Sequence, residues 1–336
     1  MSKIRTAVIG CGNISVMHLD SIQKLEVCEL VAVCDIKTDR VTETATRYGV
    51  NAYTDYHEMF AKENLDVVHI CLPHFLHIPV ACEALKCGIH VLSEKPMSIK
   101  YDDAVKCVEL AEECELKYGV IFQCRYNTPS QFVKQCITNG KLGRVKCARS
   151  TLTWYRSDDY YDSSDWKGTW DKEGGGVIID QAIHSLDLAN WMIDSTPVQI
   201  QSTLHNRNHS KALVEDSAEG LIKYENGALL SFYAMNNYLY DEPIEIRLLC
   251  ENGRAVFSYD NAVIEYNDGT VEKVENIPDD IAYTGGKGYW GLKHYVQIKQ
   301  FYDSVLGKEE LEISGREALK IQKIITQIYE NNDSSL

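Results

Sequence analysis

Between Ile4 and about Gln123, short apolar runs alternate with stretches whose apolar positions recur every three or four residues. The runs Thr6 to Ile9, Leu30 to Cys34, Val67 to Leu72, His90 to Ser93 and Val120 to Phe122 predict strands, because near-continuous apolar runs mark strands buried on both faces. Between them, Asn13 to Lys24, Asp39 to Tyr48, Ile78 to Cys87 and Asp102 to Leu116 predict amphipathic helices. Alternation of this kind implies an α/β fold in which a parallel sheet is covered by helices.

After Arg125 the grammar changes. A helix over Ser130 to Asn139 precedes strands separated by tight-turn signals. Asn226-Gly227 lies between two alternating runs, and Asn252-Gly253 and Asp268-Gly269 repeat the arrangement. Residues from about 124 to 313 read as an open, mostly antiparallel sheet decorated with helices. Helical segments at Tyr289 to Leu306 and Arg316 to Tyr329 close the chain. The expected organisation is an α/β domain over 1–123 and an α+β domain over 124–336.

The composition narrows the partners. A formal charge of −15 argues against nucleic acid and anionic membranes, which recruit clustered Lys and Arg. No stretch approaches the roughly 20 apolar residues of a membrane helix, and no secretory segment is visible after Met1, so a cytoplasmic location is expected. The 12 cysteines form no CxxC pair and fall mostly in apolar patterns, as small core residues do in a reducing compartment, so no structural metal is expected.

Gly10-Cys11-Gly12-Asn13-Ile14-Ser15 follows the first strand and opens the first helix, the setting a dinucleotide-binding loop requires. Gly10 permits the tight turn and Gly12 lets backbone approach a pyrophosphate, with Asn13 and Ile14 at the positive end of the helix. Ser15 replaces the usual third glycine. Asp35 ends the second strand 20 residues after Ser15, where a carboxylate can accept from the ribose 2′-hydroxyl of NAD and repel the 2′-phosphate of NADP. Lys37 and Arg40 lie close enough to offset part of that charge, so NAD is the expected cofactor and NADP the lesser one.

Two further segments carry candidate chemistry. Glu94-Lys95-Pro96 stands at the carboxyl end of the fifth predicted strand, the edge where open α/β sheets bind ligands. Gly174-Gly175-Gly176 precedes a predicted helix, Val177 to Ile193, that sets Asp180, His184 and Asp187 on one face. Together, the glycine loop, Glu94-Lys95-Pro96 and the segment from Gly174 to His184 resemble the Gfo/Idh/MocA oxidoreductase family over nearly the whole chain. Ala182 stands where members often have glycine.

The resemblance implies a Rossmann domain, an open-sheet second domain that often forms a homo-oligomer (dimer or tetramer), and oxidation of a sugar or cyclitol hydroxyl. It also suggests a cis Lys95-Pro96 bond. Such chemistry needs a base for the hydroxyl proton and a positive group beside the developing alkoxide. His184 suits the base and Lys95 the charge, with Lys95 the alternative base; Asp180 would bind a neighbouring hydroxyl or orient these groups. Glu94 and Lys95 are also expected at the cofactor. Arg125, Tyr155, Trp166 and Asp180 are expected to line the substrate site. The aromatic run from Trp154 to Trp170 suits either stacking on a sugar ring or an oligomer interface. Three activities fit: a dehydrogenase releasing NADH, a cofactor-retaining glycosidase or lyase that oxidises a sugar transiently, and a non-catalytic NAD-binding sensor. The presence of both Lys95 and His184 argues against the sensor, and net NADH formation separates the other two.

Overall fold

The computed structural model describes residues 3–278, 281–285 and 293–333. Two compact units emerge. One holds the described residues of Met1–Gln123 and Asp279–Leu319, the other those of Cys124–Pro278 and Lys320–Leu336.

In the first unit six strands run parallel: β1 (Ile4–Ile9), β2 (Cys28–Cys34), β3 (Asn51–Tyr53), β4 (Val67–Ile70), β5 (His90–Ser93) and β6 (Tyr118–Val120), in the order β3-β2-β1-β4-β5-β6. They alternate with helices α1 (Ser15–Lys24), α2 (Thr38–Tyr48), α3 (Tyr56–Lys62), α4 (His77–Lys86) and α5 (Tyr101–Glu113). The register Ile9↔Cys34 and Ile9↔Ile70 aligns the carboxyl ends of the three central strands, so their following loops open on one edge. The pair β3–α3 was not expected from sequence. β3 is a three-residue edge strand with two exposed positions, and α3 is seven residues long. Neither shows an apolar period, although Asp55 caps α3 by accepting from His57 N–H at 2.8 Å.

The second unit begins with α6 (Thr128–Thr138), β7 (Val145–Thr153) and the short α7 (Asp158–Asp162). A π-helical turn over Ile178–Ala182 then leads into α8 (Ile183–Ile193). Strands β8 (Pro197–His205), β9 (Ser217–Tyr224), β10 (Leu229–Met235), β11 (Glu245–Cys250), β12 (Gly253–Phe257), β13 (Asn261–Tyr266) and β14 (Val271–Glu275) follow. They form an eight-stranded sheet in the order β14-β13-β12-β11-β7-β10-β9-β8, antiparallel apart from β7 with β10. The Asn226-Gly227 and Asp268-Gly269 turns join hairpins as expected, with both glycines at positive φ. Gly253 instead opens β12, where a Cβ would lie 2.4 Å from Glu265 O.

α8 differs from the expected amphipathic helix. Every residue from Gln181 to Asn190 is buried, polar ones included, so no solvated face exists for Asp180, His184 and Asp187 to share. α9 (His294–Val305) groups with the first unit, where Ile298, Phe301 and Tyr302 join Val8 of β1 and Leu19 and Ile22 of α1 in one core cluster. Burying side chains of this size contributes about 2 kcal/mol each. A continuous second domain over 124–336 is thereby corrected: α9 carries an apolar face that completes the first core. The part of the helix expected from Tyr289 that precedes Lys293 lies outside the described residues. α10 (Gly315–Glu330) closes the described chain. Among the described residues, no helix is long and apolar enough to cross a membrane.

Candidate functional site

The glycine loop is fixed by backbone. Gly10 has φ +91° and donates to Cys34 O at 2.7 Å, and a Cβ there would lie 2.2 Å from Cys71 O. Only glycine fits that approach of β1 to β4. At Gly12 a Cβ would meet nothing within 4 Å among the described residues. α1 begins at Ser15 rather than Asn13; Asn13 and Ile14 form the turn before it. Its first turn carries no acidic residue and its N-terminal amides no side-chain cap, as an anion-binding helix end requires. Ser15 Oγ donates to Gly12 O at 2.7 Å, which ties the loop to the helix where a third glycine is usual.

Asp35 is buried and braces the same loop. Its Oδ2 accepts from Cys11 N–H at 2.9 Å and from Arg40 Nη1 at 3.3 Å, and its Oδ1 accepts from Lys37 N–H at 2.9 Å. A carboxylate has about four acceptor sites, so one remains for a ribose hydroxyl. Ile36, passed over in the sequence, is 86% exposed immediately after it.

At the end of β5, Glu94 is buried and accepts from Lys95 N–H at 3.2 Å, with His18 Nε2 at 3.1 Å and His294 Nε2 at 3.4 Å from its Oε1. Burial works to raise the Glu94 pKa, but the two imidazoles outweigh it and hold the carboxyl well below its usual range. The Lys95-Pro96 bond is cis. His77 clamps that corner, its Nδ1 2.7 Å from Pro96 O and its Nε2 2.7 Å from Leu72 O. In the sequence His18 sits inside the pattern of α1, and His77 and His294, which open α4 and α9, read as helix-end or packing residues.

In the second unit, Asp180 lies on the π-helical turn and His184 in the first turn of α8. Tyr160 donates to Asp180 Oδ2 at 2.6 Å and Gln181 Nε2 donates to the same atom at 2.5 Å. Gln181 Oε1 accepts from Asn236 at 2.9 Å, which also donates to Tyr161 at 2.7 Å. Sequence reasoning missed Tyr160, Gln181 and Asn236. The glycine run before this turn has a packing cause: a Cβ on Gly175 would lie 2.0 Å from Tyr329 Oη, and one on Gly176 1.9 Å from Glu215 O. Two carboxyls stand behind Asp180. Burial and then the Asp180 charge push Glu173 up to about 9, and burial pushes Glu215 up to about 7 against hydrogen bonds from Gly176 and Ile178 N–H.

The residues expected to line a substrate site separate. Arg125 is buried in a bidentate pair with Asp187, Nε to Oδ2 at 2.7 Å and Nη2 to Oδ1 at 2.5 Å, so its guanidinium is committed to α8. Tyr155 is 49% exposed. Trp166 is half-buried, with the Lys167 ammonium 5.7 Å from its ring. Within the aromatic run, Trp154 and Tyr161 are core residues and Trp170 is exposed, its Nε1 donating to Leu213 O at 2.8 Å.

A parallel sheet whose strand ends carry a glycine loop at a helix N-terminus, with a buried carboxylate closing the second strand, is the arrangement of a dinucleotide-binding fold. Comparison with known families agrees. Residues 4–122 match the oxidoreductase family with an NAD-binding Rossmann fold, and residues 130–256 match the GFO/IDH/MocA C-terminal domain. The chain belongs to the Gfo/Idh/MocA family, and it is an NAD-dependent dehydrogenase acting on a CH–OH group.

Among its relatives, myo-inositol 2-dehydrogenase of Thermotoga maritima is 24% identical over 92% of this chain and 86% of its own. D-glucoside 3-dehydrogenase of Escherichia coli is 24% identical over 99% of this chain and 96% of its own. The WlbA dehydrogenase of Bordetella pertussis, solved with NADH and UDP-GlcNAcA, superposes with a TM-score of 0.85 at 26% identity, covering 100% of this chain and 98% of that one.

Proposed function

We propose that the chain oxidises a secondary hydroxyl of a sugar, glycoside or cyclitol to a ketone. The single observation that carries this reading is the Asp180 carboxylate, oriented by Tyr160 and Gln181 on the turn that leads into His184. A fixed acceptor one helical turn before an imidazole suits holding one hydroxyl and deprotonating its neighbour. When bound, NAD supplies the hydride acceptor. Gly10, Gly12, Asn13 and Ile14 would hold its pyrophosphate, Asp35 with Arg40 its adenosine ribose, and Glu94 with Lys95 its nicotinamide half. His184 takes the hydroxyl proton, and the Lys95 ammonium stabilises the alkoxide as it forms. Relatives named for inositol and D-glucosides, and a structural neighbour solved with UDP-GlcNAcA, support a polyhydroxylated substrate. Tyr155 and Trp166 are an exposed and a half-exposed aromatic available to a sugar face, and Arg125 is paired with Asp187 on α8. On the second unit's sheet, Leu221, Leu229, Leu249 and Val271 are 36–53% exposed, which supports a homo-oligomer.

The test is NADH formation against a panel of cyclitols, hexoses, aryl glycosides and nucleotide sugars. Turnover is expected with one class. His184→Ala should keep NAD affinity and lose about a hundredfold or more in kcat, and Lys95→Ala should lose as much in kcat and weaken NAD binding as well. Undiminished activity in both variants overturns the site, and tight NAD binding without NADH release by any substrate overturns the simple dehydrogenase.

A further inference from the structure

Beneath the nicotinamide end of the first unit runs a continuous line of buried polar groups. Thr6 Oγ1 lies 2.8 Å from Tyr302 Oη, which lies 3.0 Å from His69 Nε2. His69 Nδ1 lies 2.8 Å from His18 Nδ1, and His18 Nε2 lies 3.1 Å from Glu94 Oε1. The members come from β1, α9, β4, α1 and the end of β5. Thr6, Tyr302, His69 and His18 are each 0% exposed.

Their protons can be placed by elimination. An ionised Glu94 only accepts, so His18 carries its proton on Nε2. Burial holds both imidazoles below their usual range and therefore neutral, so His18 Nδ1 must accept and His69 Nδ1 must donate. His69 Nε2 then accepts from Tyr302, whose oxygen accepts from Thr6. Every proton along the line points toward Glu94. The far end is closed, since Thr6 sits inside the sheet and the other neighbour of Tyr302 is the buried thiol of Cys28. A line sealed at one end moves no net proton, but its aligned dipoles reinforce one another and favour negative charge at the other end.

We propose that His18, His69 and Tyr302 are positioning residues that fix Glu94 as an oriented carboxylate, leaving its one remaining acceptor site for the carboxamide N–H of the nicotinamide. The inference rests on the assignment of Glu94 to the nicotinamide half of the cofactor. His294 adds a second donor on Oε1 and Lys95 N–H occupies one site on Oε2, so the relay and its neighbours leave a single direction open. Glu94 thereby becomes a reader of the nicotinamide's orientation rather than a counter-ion alone.

The experiment is nitrogen-15 NMR of the full chain with labelled histidine, without cofactor, followed by NAD titration. One pair of imidazoles is expected to show a nitrogen–nitrogen coupling across the Nδ1···Nδ1 bond, one ring as the pure Nδ1–H form and the other as pure Nε2–H, unchanged from about pH 6 to 8. Glu94→Gln should mix these tautomers and raise the NAD dissociation constant about tenfold. Tyr302→Phe keeps the ring packing at the distant end and should raise it about threefold. Glu94→Asp, which restores the charge, should recover part of the affinity lost in Glu94→Gln. An imidazolium or the reverse tautomers in the unmodified protein overturn the relay. The expected tautomers together with unchanged NAD affinity in both Glu94→Gln and Tyr302→Phe overturn its role at the cofactor. Failure of the hydroxyl-oxidation reading is seen separately, in the His184 and Lys95 variants, and does not alter the tautomers.

Discussion

Replacing Asp35 should change cofactor choice and loop stability by separable amounts. In the free protein its carboxylate already accepts from the backbone amides of Cys11 and Lys37, both at 2.9 Å, and from Arg40 at 3.3 Å. Asp35→Ala strips an acceptor from two amides, one of them buried, at a cost of about 2 kcal/mol to the fold. Loss of the charge-assisted bond to a ribose hydroxyl, worth about 1.5–3 kcal/mol, should raise the NAD dissociation constant about 10- to 100-fold. Removing the charge that opposes a 2′-phosphate also releases Arg40, whose side chain is 43% exposed, to pair with it. NADP affinity should therefore rise about tenfold. Asp35→Asn loses the same charge but keeps one acceptor oxygen, so its cofactor shift should match Asp35→Ala while its thermal midpoint falls less. Calorimetric titration with NAD and NADP, paired with thermal melts of the free proteins, separates the effects. NAD affinity within twofold of the starting protein in both variants, or a shift that tracks the loss of thermal stability instead of charge, would refute the ribose assignment.

Two further predictions concern the second unit. Glu173 and Glu215 hold their protons up to about 9 and about 7, whereas unfolded carboxyls release theirs near the ordinary 4.5. Across that window the unfolded chain binds fewer protons, so these groups make stability fall as pH rises. Glu173→Gln keeps an acceptor for Gly168 N–H and cannot ionise; it should raise the unfolding free energy by at least about 2 kcal/mol near pH 8 and change it little near pH 5, and parallel pH profiles would show that Glu173 ionises normally. Asp187→Ala should cost about 3–5 kcal/mol in urea unfolding by leaving Arg125 buried without its carboxylate, and Arg125→Met in the same chain should recover most of it. If the single variant loses less than about 1 kcal/mol, the pair is not desolvated as placed.

The first sheet was legible because its strands are buried on both faces and read as apolar runs, and the second because Asn-Gly and Asp-Gly turns punctuate alternating strands. β3 and α3 were invisible because an edge strand with two exposed residues and a two-turn helix bury too little to impose a period. The return of α9 to the first core was invisible for another reason. An apolar face states that it must be covered but not by what, and the partners of Ile298, Phe301 and Tyr302 lie nearly 300 residues earlier in β1 and α1.

The same distinction separates the chemical residues found in the sequence from those missed. Gly10, Asp35 and Glu94-Lys95 stand at strand ends, where the hydrogen-bond ladder stops and a polar or glycine residue interrupts an apolar run. His18, His69 and Tyr302 stand within elements, where burial sets the pattern and a polar side chain reads as an imperfection. In the folded interior such a group cannot stand alone, because an unpaired buried donor or acceptor costs about 1–3 kcal/mol. One histidine on the buried face of α1 therefore implies a second polar residue on a neighbouring element, and that one a third, until the line reaches a charge or closes on itself. The line through His18 reaches Glu94, a residue already marked for the cofactor, and Tyr160, Gln181, Asn236 and Tyr161 form a second such line on Asp180. In this chain a site is legible at its surface from single residues, and its depth only as a set, which requires knowing which elements pack together.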